Sequence, residues 1–246
     1  MPRILTYNVH RCVGTDRKLD VARIADVIAT YEPDIVALQE LDVGRLRTGL
    51  VDQAHEIAHR LEMSFHFHPA MAVEEELYGD AILTLYPERK VQAAPLPLYG
   101  PMGGMLEPRG ALWIAVDING VEVQVINTHL GLVPREQQLQ AVAIAGPGWV
   151  EHPAFKDPAI LLGDFNATAA SVVYKTLTQR LRDARTLAPG PAVSTSTFPS
   201  RMPVLRIDHV LVSEGVKITG ISAPFTPATR KASDHLPLIV DFEVSG

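Results

Sequence analysis

Ala159-Ile160-Leu161-Leu162-Gly163-Asp164-Phe165-Asn166 is an apolar run that ends abruptly in a carboxylate and an amide. A continuous apolar run of this length, closed by Gly163, fits a strand covered on both faces. Reactive side chains are commonly presented at the ends of such strands. Gly-Asp-Xaa-Asn also suits an ordinary turn, in which Asp and Asn bond their own backbone. The surrounding chain decides between these two readings.

Residues 3–9 alternate and are rich in β-formers, so they read as a strand ending at Asn8-Val9-His10. Asp20 reads as the N-cap of a helix, with Ile24, Val27, Ile28 and Tyr31 at helical spacing and Pro33 as the stop. Ile35-Val36-Ala37-Leu38 then forms a second buried strand ending in Gln39-Glu40, which completes a βαβ opening. Residues 52–61 read as a short helix, 65–68 and 78–85 as strands, and 95–110, rich in Pro, Gly and Met, as a long loop. Asn119-Gly120 between two β-runs is a strong hairpin signal, and the second run ends in Asn127-Thr128-His129. Pro134 opens a helix to about residue 145, Ser171 caps one expected to run to 182, and residues 187–203 read as a loop. Strands at 206–213 and 238–244 follow, with Ser233-Asp234-His235 just before the last.

No linker, repeat or low-complexity tract divides the 246 residues, and a composition 47% hydrophobic and 20% charged can bury a large core, so residues 1–246 are expected to form one domain. The net charge of -6 argues against a surface built to grip bare nucleic acid, although bound cations can invert a local field. The single cysteine, Cys12, excludes an internal disulfide framework and fits a reducing compartment. Met1-Pro2-Arg3 leads straight into a strand, and no stretch approaches the ~20 apolar residues of a membrane span. The expectation is a soluble, cytoplasmic protein, with a monomer as the default.

His55-Glu56-Ile57-Ala58-His59 matches the His-Glu-Xaa-Xaa-His pattern of zinc proteases. A catalytic zinc needs a third protein ligand, and the short extension of one protease class would require Gly and His where this chain has Glu62 and Phe65. Ala54, Ile57, Ala58 and Leu61 give the helix a packing face, which leaves the two histidines as solvated residues.

Asn8, Glu40, His129, Asp164 with Asn166, Asp208, and Asp234 with His235 nearly all end or abut an apolar β-run. A buried unpaired charge costs several kcal/mol, so groups at such boundaries call for a shared mouth where they pair or coordinate. Oxygen ligands, a histidine with an available carboxylate and a second histidine suit magnesium-assisted attack of water on a phosphate ester better than thiolate or acyl chemistry. Arg109 reads either as a phosphate clamp or as an ion pair with Glu107. Arg45, Arg47, Arg135, Arg230 and Lys231 read as a solvated face.

Thr6-Tyr7-Asn8-Val9, Leu38-Gln39-Glu40, Asn127-Thr128-His129-Leu130, Gly163-Asp164-Phe165-Asn166, Arg206-Ile207-Asp208-His209 and Ser233-Asp234-His235-Leu236-Pro237 occur in the order of the motifs of the endonuclease/exonuclease/phosphatase superfamily, which the chain therefore resembles. The resemblance implies a four-layer α/β/β/α sandwich of two packed, mostly antiparallel sheets with helices outside. It implies Mg2+, or Mn2+ in its place, held by Glu40 with Asn8 and Asp234 nearby. His235, oriented by Asp208, would activate water or stabilise the phosphate. Asp164 and Asn166 would position the nucleophile and phosphate oxygens, while His129 would bond the phosphate or assist the leaving group. Abasic-site endonucleases carry Asp where this chain has His10, and they lack a histidine at the position of His129. The chain thus sides with the deoxyribonuclease, sphingomyelinase and phosphatase branches, and His10 is taken with Arg109 as a phosphate contact. The implied substrate is a phosphate ester, whether a small molecule, a phospholipid headgroup or a nucleic acid. A nuclease on the same fold, a zinc peptidase at His55, Glu56 and His59, and a non-catalytic binding module are the alternatives.

Overall fold

The computed structural model describes residues 1–100, 105–191 and 193–244. In chain order they form β1 (Arg3–Asn8), α1 (Val21–Ala29), β2 (Ile35–Val43), α2 (Gln53–Arg60), β3 (Ser64–Val73), β4 (Glu76–Thr84), β5 (Glu88–Pro95), β6 (Gly110–Ile118), β7 (Val121–His129) and α3 (Pro134–Ala145). Then come β8 (Ala159–Asp164), α4 (Val172–Leu177), β9 (Arg182–Asp183), α5 (Ala184–Leu187), β10 (Asp208–Val212), β11 (Val216–Ser222), α6 (Pro227–Ala232) and β12 (Leu238–Val244). The strands build two six-stranded sheets, ordered β11-β12-β1-β2-β4-β3 and β5-β6-β7-β8-β10-β9. Each sheet has one parallel pair, β1 with β2 and β7 with β8, and is otherwise antiparallel.

Strand residues alternate between faces, so each sheet buries two different surfaces. Ile4, Ile35, Ala37 and Ile82 of one sheet meet Ile114, Val125, Ile160 and Val210 of the other in a shared central core. Their neighbours Leu5, Tyr7, Val36 and Leu38 face the opposite way, onto Ile24, Ile28, Ala54 and Ile57 of α1 and α2. Trp113, Ile126 and Leu161 likewise pack against Ala141 and Ile144 of α3 and Val173 and Leu177 of α4. Sheet on sheet with helices on both outer faces is the four-layer α/β/β/α sandwich, and double coverage explains why these strands are nearly continuously apolar. The helix starts form as their sequences dictate. Asp20 accepts from the Arg23 amide, Asp52 from His55 and Ser171 from Tyr174.

β11, α5 and α6 were not expected from the sequence, and two further differences have a clear physical reason. The helix capped by Ser171 ends at Leu177, because Asp183 is drawn into bonds with Tyr174 and Arg206 and its segment pairs with β10 as a short strand. The loop expected over 95–110 is preceded by β5, an edge strand whose Glu, Arg, Lys and Gln residues hide the apolar alternation. Residues 101–104 of that loop, and residue 192 of the loop expected over 187–203, lie outside the described residues.

Gly163 sits in β8 at φ 137°, and a Cβ there would run into the Thr128 carbonyl of β7. Only glycine permits both that conformation and so close a strand approach. Gly163→Ala is therefore expected to cost on the order of 3 kcal/mol or more, from backbone strain plus overpacking, as read by urea denaturation.

Candidate active site

Because β1 and β2 run parallel, Asn8 and Glu40 emerge at the same sheet edge. In the second sheet the parallel register sets His129 opposite Asp164, and antiparallel β10 sets Asp208 opposite the same residue. Asn8, His129, Asp164 and Asp208 share the parity of the inward-facing core positions on their strands, so each points into the seam between the sheets. Glu40 has the wrong parity. A β-bulge between Leu38 and Leu41 shifts the pairing with β4, and Glu40 itself adopts φ 61°. The bulge re-aims this carboxylate towards the seam, a recurrent use of such irregularities beside active sites.

Asn8 ties the two sheets together. Its amide nitrogen donates to Glu40 Oε1 and to Asp164 Oδ2, both at 3.0 Å, and its oxygen accepts from the His10 amide. Asp164 Oδ1 accepts from the backbone of Asn166 at 2.8 Å, in the left-handed turn that follows β8. Asn166 Nδ2 lies 3.0 Å from His129 Nε2 and donates to the Leu130 carbonyl. Arg109 Nη1 donates to His129 Nδ1 at 3.0 Å and pairs with Glu107 at 2.7 Å, the ion pair that was one of the two sequence readings of Arg109. His235 bridges Asp208 Oδ2, 2.9 Å from its Nδ1, and Asp164 Oδ2, 3.6 Å from its Nε2. Thr197 Oγ1 donates to Asp208, and Ser233 Oγ donates to the Asn8 carbonyl, which pins the segment carrying Asp234 and His235 to β1. Beneath the site, Gln39 donates to Thr6 and Asn127, while Asn127 donates to the Leu38 and Ala81 carbonyls across the seam.

The two histidines are set in opposite electrostatic environments. Burial, then the Arg109 guanidinium and His235, hold His129 well below the usual imidazole range, so it is neutral. Burial also works against charge on His235, but Asp208 and Asp164 outweigh it and push His235 up to about 10. Burial, with Asp208 beside it, pushes Asp164 upward, while His235, Asn8 and Asn166 pull it back. Asp80, buried within β4, is pushed up to about 8 by burial.

This crowding of carboxylates fits a cation. Glu40 and Asp234 open onto one cavity of about 280 Å3, which also meets His10, Arg11, Arg47 and Arg109. Carboxylate oxygens without thiolates are the donor set of a hard ion such as Mg2+ or Mn2+, and the His10 imidazole stands beside them with Nδ1 3.9 Å from Asp234. Asp164, Asp208 and His235 also offer ligand atoms within 4.8 Å of one another. Asp208 Oδ2, however, is already occupied by His235 and Thr197, an arrangement that orients an imidazole.

Arg47, expected on a solvated face, instead forks onto the buried Asp42 through contacts of 2.7 and 2.6 Å and faces the cavity. Arg11, Tyr78 and Asp80 also join the neighbourhood. Only Asp80 left a signal in the sequence, as a lone carboxylate in an apolar strand. His55 and His59 are exposed and stack at 6.1 Å, and Glu56 pairs with Arg60. Among the described residues no metal-ligating group includes them. Replacing both with alanine is expected to leave any turnover by the protein unchanged in a direct rate comparison.

No helix among the described residues is long and apolar enough to cross a membrane. Among curated proteins no match is found. Solved structures similar in fold include an endonuclease/exonuclease/phosphatase from Beutenbergia cavernae DSM 12333, with TM-score 0.81 and 23% identity over 100% of this chain and 72% of that one. The mannosyl-6-phosphatase of Bacteroides thetaiotaomicron VPI-5482 aligns with TM-score 0.76 and 20% identity over 99% of this chain and 100% of that one. The human Nocturnin catalytic domain with bound sulfate anion aligns with TM-score 0.73 and 22% identity, over 99% and 94%. The model of the Endonuclease/Exonuclease/phosphatase family matches residues 5–235, which carry every strand-end group around Asp164, and the chain belongs to that family.

Proposed function

We propose that the protein is a magnesium-dependent phosphoesterase that cleaves a phosphate ester by activated-water attack. The observation that carries this reading is the convergence on Asp164 of Asn8 from one sheet, His235 from the segment leading into β12 of that same sheet, and His129 and Asp208 from the other, beside the Glu40 and Asp234 carboxylates. Glu40 and Asp234 would hold the cation, with Asn8 fixing the orientation of Glu40. When bound, the cation would offset negative charge building on the phosphate oxygens.

The remaining groups divide the chemistry. Asp164, a carboxylate whose basicity burial raises, takes the proton of the attacking water. Asn166 and His129 orient the phosphate, and Arg109 clamps it with guanidinium donors. His10 stands at the cavity wall as a further contact. His235, cationic between two carboxylates, stabilises the phosphoryl charge, and Asp208 and Thr197 hold its ring. Three arginines, Arg11, Arg47 and Arg109, line one cavity of about 280 Å3, and on a chain of net charge -6 this favours a compact substrate over a polymer.

The test is a screen of purified protein with Mg2+ or Mn2+ against phosphodiesters, phosphomonoesters, single- and double-stranded DNA, RNA and phospholipids. Chelator-sensitive turnover of at least one class is the expected result. Failure on all of them overturns the reading.

A further inference from the structure

Clamping one phosphate requires one guanidinium, and Arg109 supplies it under the reading above. The cavity beside Glu40 contains two more, Arg11 and Arg47, which that chemistry leaves without a task. Arg47 is built in place: its Nε and Nη2 fork onto Asp42, and its guanidinium lies 5.5 Å from the Tyr78 ring centroid. That anchoring leaves Nη1 for a ligand and removes most of the entropy cost of holding a long side chain. Arg11 is placed by an unusual backbone. His10, Arg11 and Cys12 are consecutive non-glycine residues at φ 46°, 55° and 58°, held by Gln53 bonding the Arg11 carbonyl and by the Cys12 and Val13 amides. Strained runs of this kind persist where the surrounding structure enforces them, and they cluster at ligand sites.

The donors themselves are unfinished. Among the described residues Arg11 Nε and Arg109 Nε are buried without a hydrogen-bond partner, and Arg109 is only 6% exposed where it lines the cavity. Among the described residues Arg11 Nη2 has its hydrogen-bond contact with His10 Nε2, at 2.8 Å. Buried guanidinium N–H groups without acceptors mark places where an acceptor is missing, and the planar fork matches phosphate.

We propose that Arg11 and Arg47 form a subsite for a second phosphate group on the substrate, so that the protein acts on a compact ester carrying two phosphates. The location of the first phosphate rests on the phosphoesterase reading; the subsite itself rests on the arginines.

Isothermal titration in the presence of calcium compares glucose 1,6-bisphosphate with glucose 6-phosphate and glucose 1-phosphate. The bisphosphate is expected to bind at least about tenfold more tightly than either monophosphate, the gain of one charge-assisted contact. Arg11→Met keeps the backbone and removes the guanidinium, and it should close most of that gap. Arg47→Lys, which keeps a charge beside Asp42, should narrow it as well. Equal affinities in the wild type, or a gap unchanged in Arg11→Met, overturn the subsite. Tighter binding of a ten-residue oligodeoxynucleotide without terminal phosphates overturns the compact substrate. Rates with magnesium separate the two readings: a preserved binding gap without turnover of any ester removes the phosphoesterase and leaves the subsite. Turnover without any preference does the reverse.

Discussion

Glu40→Gln is expected to lose roughly 10^3-fold or more of the proposed magnesium-dependent turnover, because loss of the proposed cation site would forfeit several kcal/mol of transition-state stabilisation and each ~1.4 kcal/mol is tenfold in rate. The fold should not follow. Glu40 lies at the edge of the seam, partly exposed, and the glutamine amide still offers an oxygen to Asn8 Nδ2. Initial rates across a magnesium titration, beside thermal melts by circular dichroism, check both halves. Retained turnover would remove Glu40 from the proposed cation site, and collapse of the melt would show that its bond to Asn8 is structural.

His235→Gln is expected to lower turnover by roughly 10^2- to 10^4-fold, the range for a positioned proton-handling or charge-stabilising group. It also carries a pH signature. His235 is raised to about 10 in the folded chain against about 6.5 for a free imidazole, so folding favours its protonated form. Its contribution to stability is complete below about pH 6.5 and is lost as pH rises through about 10. In chelator, the melting-temperature advantage of wild type over His235→Gln should therefore be largest in mild acid and shrink steadily into alkali. An advantage that grew with pH would mean a neutral imidazole at that position.

Most of the framework was legible because period-two and period-3.6 patterns are local. Asn8, His129 and Asp164 stand out as polar groups at the ends of apolar runs, and Asp20, Asp52 and Ser171 announce helix starts. Glu40 shows where that logic stops. Its alternation points it towards the helices, and the bulge that turns it inward is fixed by pairing with β4, forty residues on. Arg11 and Arg47 were invisible for a related reason. Each sits in an unpatterned loop, and what makes them a pair is a shared cavity wall together with Asp42 and Tyr78. β5 and β11 were missed because edge strands with charged or glycine-interrupted sequences carry little period-two signal.

Since Asn8 reaches Asp164 across the seam, the groups proposed to carry the chemistry are bolted partly to one slab and partly to the other, like the jaws of a caliper. The gap of that caliper is set by Val125, Ile114, Ile160 and their partners, buried well below the chemistry. A shift of about 1 Å in such alignment can reduce a rate ~10^2-fold. Turnover is therefore expected to register a loosened interior before any melt does, which would make the central core as much a part of the site's precision as the residues proposed to touch the phosphate.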